Sequence, residues 1–209
     1  QFLILQGNRS LFQQAATRLA SLGTTDIAVA TPCIVGNEEH RFLVLDQLRE
    51  IALAPSAVLL EPMGRNTAPA VTLAALQAMA NGADPVLVVT AADQTVTDEA
   101  AFTKTLQQAV RVAASGSIVI LGITPDRPET GFGYIRSARD ADQAAKVAQF
   151  VEKPDLATAQ KYLASGDYFW NSGIFVVRAS VWLKALERFR PDIASATKTS
   201  WSAKSTDAS

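Results

Sequence analysis

The chain has 209 residues, 48% of them hydrophobic and 19% charged, with only 11 Gly and 9 Pro. That much apolar surface can offset chain entropy, which excludes global disorder and low-complexity or collagen-like chains, and the length suits one large domain. With 19 Lys+Arg against 20 Asp+Glu the net charge is −1, which argues against a general nucleic-acid binder but leaves room for a local basic site for one nucleotide.

In chain order, Phe2-Leu3-Ile4-Leu5 reads as a strand, and because the chain opens inside it without Met, the sequence is read as an internal piece of something longer. Ser10 can cap a helix whose apolar positions Leu11, Ala15, Leu19 and Leu22 repeat at helical spacing and stop at Gly23. Ile27-Ala28-Val29-Ala30 follows as a short buried strand. Cys33 lies between apolar neighbours and reads as a small core residue; being single, it cannot form an intrachain disulfide and suits a reducing compartment. Asn37 caps a second helix with Phe42, Leu45 and Leu48 on one face. His40, the only histidine, has no Cys or His companions for a zinc site.

Val58-Leu59-Leu60 is a strand, and the Ala-rich stretch 67–81 is a helix stopped by Gly82. Val86-Leu87-Val88-Val89 is apolar on both faces, as a central parallel strand should be. Asp98 opens a helix through Phe102, Leu106, Val110 and Ala113, and Ile118-Val119-Ile120-Leu121 is the next strand. This alternation predicts an α/β fold with a mostly parallel central sheet and helices on both faces.

After Ile123 the rhythm changes. A Pro/Gly-rich loop fills 124–133, Tyr134-Ile135-Arg136 and 147–151 are strand-like, Asp155 caps a helix to Ser165, and Ile174-Phe175-Val176-Val177 is a last strand before a helix from Ser180. The Ser/Thr/Ala/Lys-rich stretch from Ser195 is weakly periodic and is expected to be a partly mobile tail; the expected division is a domain over 1–193 and a tail over 194–209. No apolar run approaches the roughly 18 residues that span a bilayer. With no leader pattern at the start, the expectation is a cytoplasmic protein with no membrane partner.

Five segments carry residues suited to chemistry. Gly64-Arg65-Asn66-Thr67-Ala68-Pro69-Ala70 sits between a strand and a helix, where ligands of parallel sheets bind and free amides favour phosphate or a polar base edge; on local features alone an ordinary turn capped by Thr67 is the simpler reading. Glu61, just upstream, offers a carboxylate that can accept two hydrogens from a guanine edge. Asp93 follows the most apolar strand and suits either a Mg²⁺ ligand beside phosphate oxygens or a turn cap. Glu129-Thr130-Gly131-Phe132-Gly133-Tyr134 is a loop that lets backbone approach a ligand or merely turns. Glu152 and Lys153 place opposite charges side by side, and in an ideal strand they point to opposite faces; they suit a sugar phosphate or a solvated strand end. Trp170-Asn171-Ser172-Gly173 exposes an amide between small neighbours.

In their order, these segments, together with Asn37-Glu38-Glu39-His40-Arg41-Phe42, resemble the sugar-nucleotide pyrophosphorylases. Within them the chain is most similar to the mannose-1-phosphate guanylyltransferases (GDP-mannose pyrophosphorylases), of the bacterial type related to bifunctional mannose-6-phosphate isomerase/guanylyltransferases. The likeness covers residues 1–193. It implies a Rossmann-like nucleotidyltransferase domain that makes GDP-mannose and pyrophosphate from GTP and mannose 1-phosphate.

Position by position, the resemblance implies that Glu61, Asn66 and Thr67, with Arg65 beside them, contact the nucleotide. It implies that Asp93 holds Mg²⁺, that Gly133, Glu152 and Asn171 bind the sugar, and that Lys153 meets its phosphate. Asp93 and Lys153 are then the groups nearest the in-line attack on the α-phosphate, which needs positioning and charge neutralisation more than a general base. The family's glycine-rich loop and second metal carboxylate have no match here, and Gln94 stands where the family usually has His. The alternatives are a non-catalytic sugar-nucleotide-binding module, or a pyrophosphorylase for another nucleotide and hexose 1-phosphate. Homo-oligomerisation is left open.

Overall fold

A computed structural model describes residues 1–4, 7–137 and 144–206. Leu5 of the expected opening strand and residues 207–209 of the expected tail lie outside the described residues. Residues 2–4 form no strand; the Gln1 and Leu3 carbonyls instead accept the Phe12 and Leu11 amides at 2.9 and 3.4 Å. Those amides open helix α1 (Leu11–Arg18), where Ser10 and Gln13 form a reciprocal capping box. A 3-10 turn carries the chain on to Leu22.

The strand expected over 27–30 is not formed, and Val29 is 43% exposed. β1 spans Cys33–Asn37 instead, beginning just past Pro32, which has no N–H to give a ladder. The residues that find a strand partner lie downstream of that apolar run. Asn37 does cap, accepting the Glu39 amide at 2.8 Å, but it caps a single 3-10 turn that leads into α2 (Arg41–Glu50). The face of α2 that packs inward carries Val44, Gln47 and Leu48, whereas Phe42 is 74% exposed. β2 (Ala57–Glu61) pairs with β1 in parallel, Cys33 opposite Ala57 and Asn37 opposite Glu61. It is followed by α3 (Thr67–Met79).

The remaining strands are β3 (Val86–Val89), β4 (Val119–Ile123), β5 (Gly133–Arg136), β6 (Gln149–Glu152) and β7 (Tyr168–Arg178); α4 (Glu99–Ala114) and α5 (Leu156–Ser165) lie between them, and α6 (Ala179–Phe189) and α7 (Pro191–Ser202) follow. Asp98 and Asp155 cap α4 and α5 as expected, accepting the Ala101 and Thr158 amides at 2.9 and 2.7 Å. The α/β architecture holds, with a mixed sheet. β3, expected to be parallel, runs antiparallel to β7, as do β4 and β5, and β6 is antiparallel to β5. β3 and β4 therefore point the same way on either side of β7. This last strand is far longer than the four residues its apolar run suggested, because Tyr168, Phe169 and the Trp170-Asn171-Ser172-Gly173 segment also belong to it.

Leu106, Ala109 and Ala113 of α4 pack on Ile174 and Val176 of β7, with Val86, Val88, Val119 and Leu121 around them. Each fully buried large side chain there contributes roughly 1.5–3 kcal/mol. A second cluster joins Tyr134, Ala159, Tyr168 and Trp170 beneath α5. A third joins Phe12, Val44 and Leu48 to Ile34, Val58 and Ala92, so the segment after β3 is packed onto the β1–β2 pair. The stretch from Ser195, expected to be mobile, is largely helical: α7 buries Ala194 and Thr197. Its Thr199 and Ser200 hydroxyls donate to the Ser195 and Ala196 carbonyls a turn back, at 3.1 Å each, and the helix is held by packing against α3 and α6, which weak periodicity does not reveal.

Candidate functional site

β2 runs out at Glu61, opposite Asn37 at the end of β1. Glu61 is partly buried, and that burial pushes its carboxyl above the usual carboxylate range. The exposed turn that follows brings Asn66 to φ 66°, ψ −170°, at the cap position of α3, with no side-chain capping bond. Thr67 is thus the first helical residue rather than the cap. Asn66 occupies a backbone region that costs a non-glycine residue about 1–3 kcal/mol. The uncapped opening amides of a 13-residue helix, with exposed Arg65 beside them, suit an anionic or polar-edged ligand.

Asp93 stands exposed in the loop after β3. Its neighbours are fixed on both sides. Ala92 packs against the cluster that holds Ile34 and Val58, and Gln94 is held twice: its side-chain amide donates to the Ser172 carbonyl at 2.6 Å, while Arg18 of α1 donates to the Gln94 carbonyl at 2.8 Å. Among the described residues no three His, Cys, Asp or Glu side chains gather into a metal-holding group. A single exposed carboxylate fits a Mg²⁺ ion that takes its other ligands from phosphate oxygens and water.

The three residues expected at the sugar converge. Glu152 pairs with Gly133 across β6 and β5. A Cβ on Gly133 would lie 2.8 Å from Glu152 Oε2, 2.9 Å from Phe150 Cζ and 3.4 Å from Asn171 Cβ. Only glycine lets these side chains approach the β5 backbone so closely. Lys153 follows the end of β6 with φ 46° and donates its amide to the Phe132 carbonyl at 3.2 Å. The left-handed turn overrides strand alternation: instead of pointing away from Glu152, the Lys153 Nζ sits 3.8 Å from Glu152 Oε1. Both side chains are mostly exposed, so the pair adds little stability and remains available to a ligand.

The loop before β5 is pinned over this cluster. Tyr134 donates its hydroxyl to the Glu129 carbonyl at 2.9 Å, and Glu129 Oε1 accepts the Gly131 amide at 3.0 Å, which holds its carboxyl below the usual range. Phe132 meets Trp170 edge-on at 5.3 Å, and the Arg127 guanidinium lies 5.2 Å from the centre of the same ring.

The structure thus joins Gly133, Glu152, Lys153 and Asn171 directly, and ties the Asp93 loop to the strand bearing Asn171. Glu61, Arg65, Asn66 and Thr67 form a separate group on the β2–α3 turn. Sequence reasoning missed Arg18, and it gave no role of their own to Phe150 and Ser172, which lie within motifs it singled out. Arg18 and Gln94 are 76 positions apart and Gln94 and Ser172 are 78, a separation that no local pattern reveals.

The whole chain, residues 1–209, matches the family described as Nucleotidyl transferase. The chain belongs to that family. Its relatives among the nucleotidyl transferases include the xanthan biosynthesis protein XanB of Xanthomonas campestris pv. campestris (strain B100), 49% identical over 208 residues, covering 100% of this chain and 43% of that protein. The mannose-1-phosphate guanylyltransferase of Escherichia coli (strain K12) is 46% identical over 210 residues, covering 97% of this chain and 43% of that one. This chain therefore spans less than half the length of these curated relatives. Among solved structures, mannose-6-phosphate isomerase from Helicobacter pylori superposes with a TM-score of 0.84 at 34% identity, covering 97% of this chain and 74% of that one.

Proposed function

We propose that this chain binds GTP and mannose 1-phosphate and belongs to an enzyme that joins them into GDP-mannose and pyrophosphate. The observation that carries the reading is the convergence of Glu152 and Asn171 on the bare backbone of Gly133, with the Lys153 ammonium beside Glu152. An acceptor carboxylate, an amide and an ammonium suit the hydroxyls and phosphate of a hexose phosphate. Glu61, at the end of β2 five residues before Asn66 and the open amides of α3, would accept the N1 and N2 hydrogens of guanine, and Arg65 and Thr67 would complete the nucleotide contacts.

The chemistry asks the protein to bring two polyanions into line. Lys153 would neutralise the sugar phosphate and hold its oxygen toward the α-phosphorus, while the pinned loop over Trp170 keeps the sugar hydroxyls oriented. Asp93 would hold a Mg²⁺ ion, which when bound supplies charge neutralisation on the nucleotide phosphates. The single half-buried Cys33 suits the reducing cytoplasm in this reading.

Calorimetric titration of the chain with GDP-mannose and Mg²⁺, with UDP-glucose as control, tests the proposal. Selective binding of GDP-mannose is expected. Equal binding of both would remove the guanine and mannose assignments, and no binding by a folded sample would overturn the reading for this chain.

A further inference from the structure

β7 does not continue smoothly past Asn171. Its ladder with β3 ends at Val89 opposite Phe175. On its other side, Ile120 is opposite Phe175 and Gly122 opposite Asn171, with a register shift between the two pairs. One residue of β4, Leu121, therefore faces three of β7, residues 172–174. Such a bulge bends a strand and re-aims the side chains beside it. Within it Gly173 has φ 74°, Asn171 Oδ1 accepts the Gly173 amide at 3.3 Å, and Ser172 Oγ accepts the Ile174 amide at 3.2 Å.

Ser172 is 7% exposed and lies beyond the last β3 pair, where the β3 backbone has turned away to carry Asp93. A buried carbonyl without a partner costs about 1–3 kcal/mol. Here the Gln94 side chain takes over from the strand, donating its amide to that carbonyl at 2.6 Å, and Arg18 fixes the Gln94 backbone in turn.

We propose that Gln94 is a positioning residue for the sugar-phosphate subsite: its side-chain N–H donor holds the bulge that presents Asn171, and so sets Asn171 relative to the Asp93 loop. The proposal rests on the function argued above. It makes the donor, rather than the amide as such, the working feature of this position, so a histidine N–H can replace it and a carboxylate cannot.

The test uses Gln94→Ala, Gln94→His and Gln94→Glu in the full chain. Affinities for mannose 1-phosphate and GTP are measured by calorimetry, and amide exchange at residues 172–174 is measured without ligand. Gln94→Ala is expected to weaken mannose 1-phosphate about tenfold, leave GTP within about twofold and speed exchange at Gly173, since small misplacements of a binding group are costly. Gln94→His is expected to recover most of the loss. Gln94→Glu, nearly the same shape without a donor, is expected to fail like Ala, and it carries the test if Gln94→Ala lowers the melting temperature. Three results would overturn the proposal: wild-type affinity for mannose 1-phosphate in Gln94→Ala or Gln94→Glu, equal weakening of both ligands, or no recovery with His. If the wild-type chain binds GTP but not mannose 1-phosphate, the sugar reading itself fails and the positioning role fails with it; wild-type binding with silent variants removes the positioning role alone.

Discussion

Gly133→Ala separates binding from folding at the proposed sugar-phosphate subsite. The added methyl would sit 2.8 Å from Glu152 Oε2 and 2.9 Å from Phe150 Cζ, so each must retreat by about half an ångström to reach ordinary contact, whereas Asn171 Cβ at 3.4 Å need hardly move. Phe150 is 46% exposed and the Glu152 side chain 60% exposed, so both have solvent to swing into. The cost to the fold should therefore sit at the low end of overpacking, about 1 kcal/mol, a fall of roughly 2–4 °C in melting temperature for a chain of this size. Binding has no such escape, because the methyl displaces Glu152 from the position in which it would accept a hydroxyl. Losing one hydrogen bond to a charged group costs about 1.5–3 kcal/mol, or roughly tenfold to a hundredfold in affinity. Calorimetric titration with mannose 1-phosphate and with GTP, beside a melting curve, reads all three quantities. Unchanged affinity for mannose 1-phosphate, with melting within a few degrees, would show that Gly133 is only a turn residue. Equal weakening of GTP would show that the methyl disturbs more than this subsite.

Three further outcomes follow from the same geometry. Asn66→Gly removes the penalty of φ 66°, ψ −170° but adds glycine's entropy cost, for a net gain of about 1 kcal/mol. Differential scanning calorimetry should show a rise in melting temperature while GTP affinity falls. Ala52, φ 51° beyond the end of α2, serves as its control: Ala52→Gly should stabilise and leave GTP binding alone, and a loss of stability in both variants would refute the strain argument. Glu61 carries a raised carboxyl, so the folded state holds its proton more tightly and this contribution favours folding in acid and is lost as pH rises through the folded value. Glu61→Gln should therefore melt higher than wild type at pH 7, with the gap closing toward pH 4; a gap constant across that range would contradict the burial assignment, and an unchanged preference for GTP over other nucleotides would remove Glu61 from base choice. Burial pushes the Cys33 thiol up to about 11, so labelling by a thiol-specific disulfide reagent at pH 7 should be slow until the chain is denatured, and stoichiometric labelling within minutes would refute this.

What could be read without coordinates was local in origin. Ser10, Asp98 and Asp155 announced their helices because a cap and its target amide lie within three residues. The apolar runs at 58–60, 86–89 and 174–177 announced strands, and the ordered motifs pointed to the family and to the residues that meet around Gly133. The misses came from interactions between distant segments. An apolar run reports that both faces are covered but not which way the neighbouring strand runs, so β3 could not be known to oppose β7. Nor could alternation foresee the left-handed turn that folds Lys153 back to Glu152, because the conformation is set where the chain leaves the sheet beside Phe132. Residue types and their order along the chain were enough to mark the candidate site residues. Only the tertiary structure decided how they are held, since the Arg18–Gln94–Ser172 ties and the bulge under Asn171 link side chains and backbone that are neighbours in space alone.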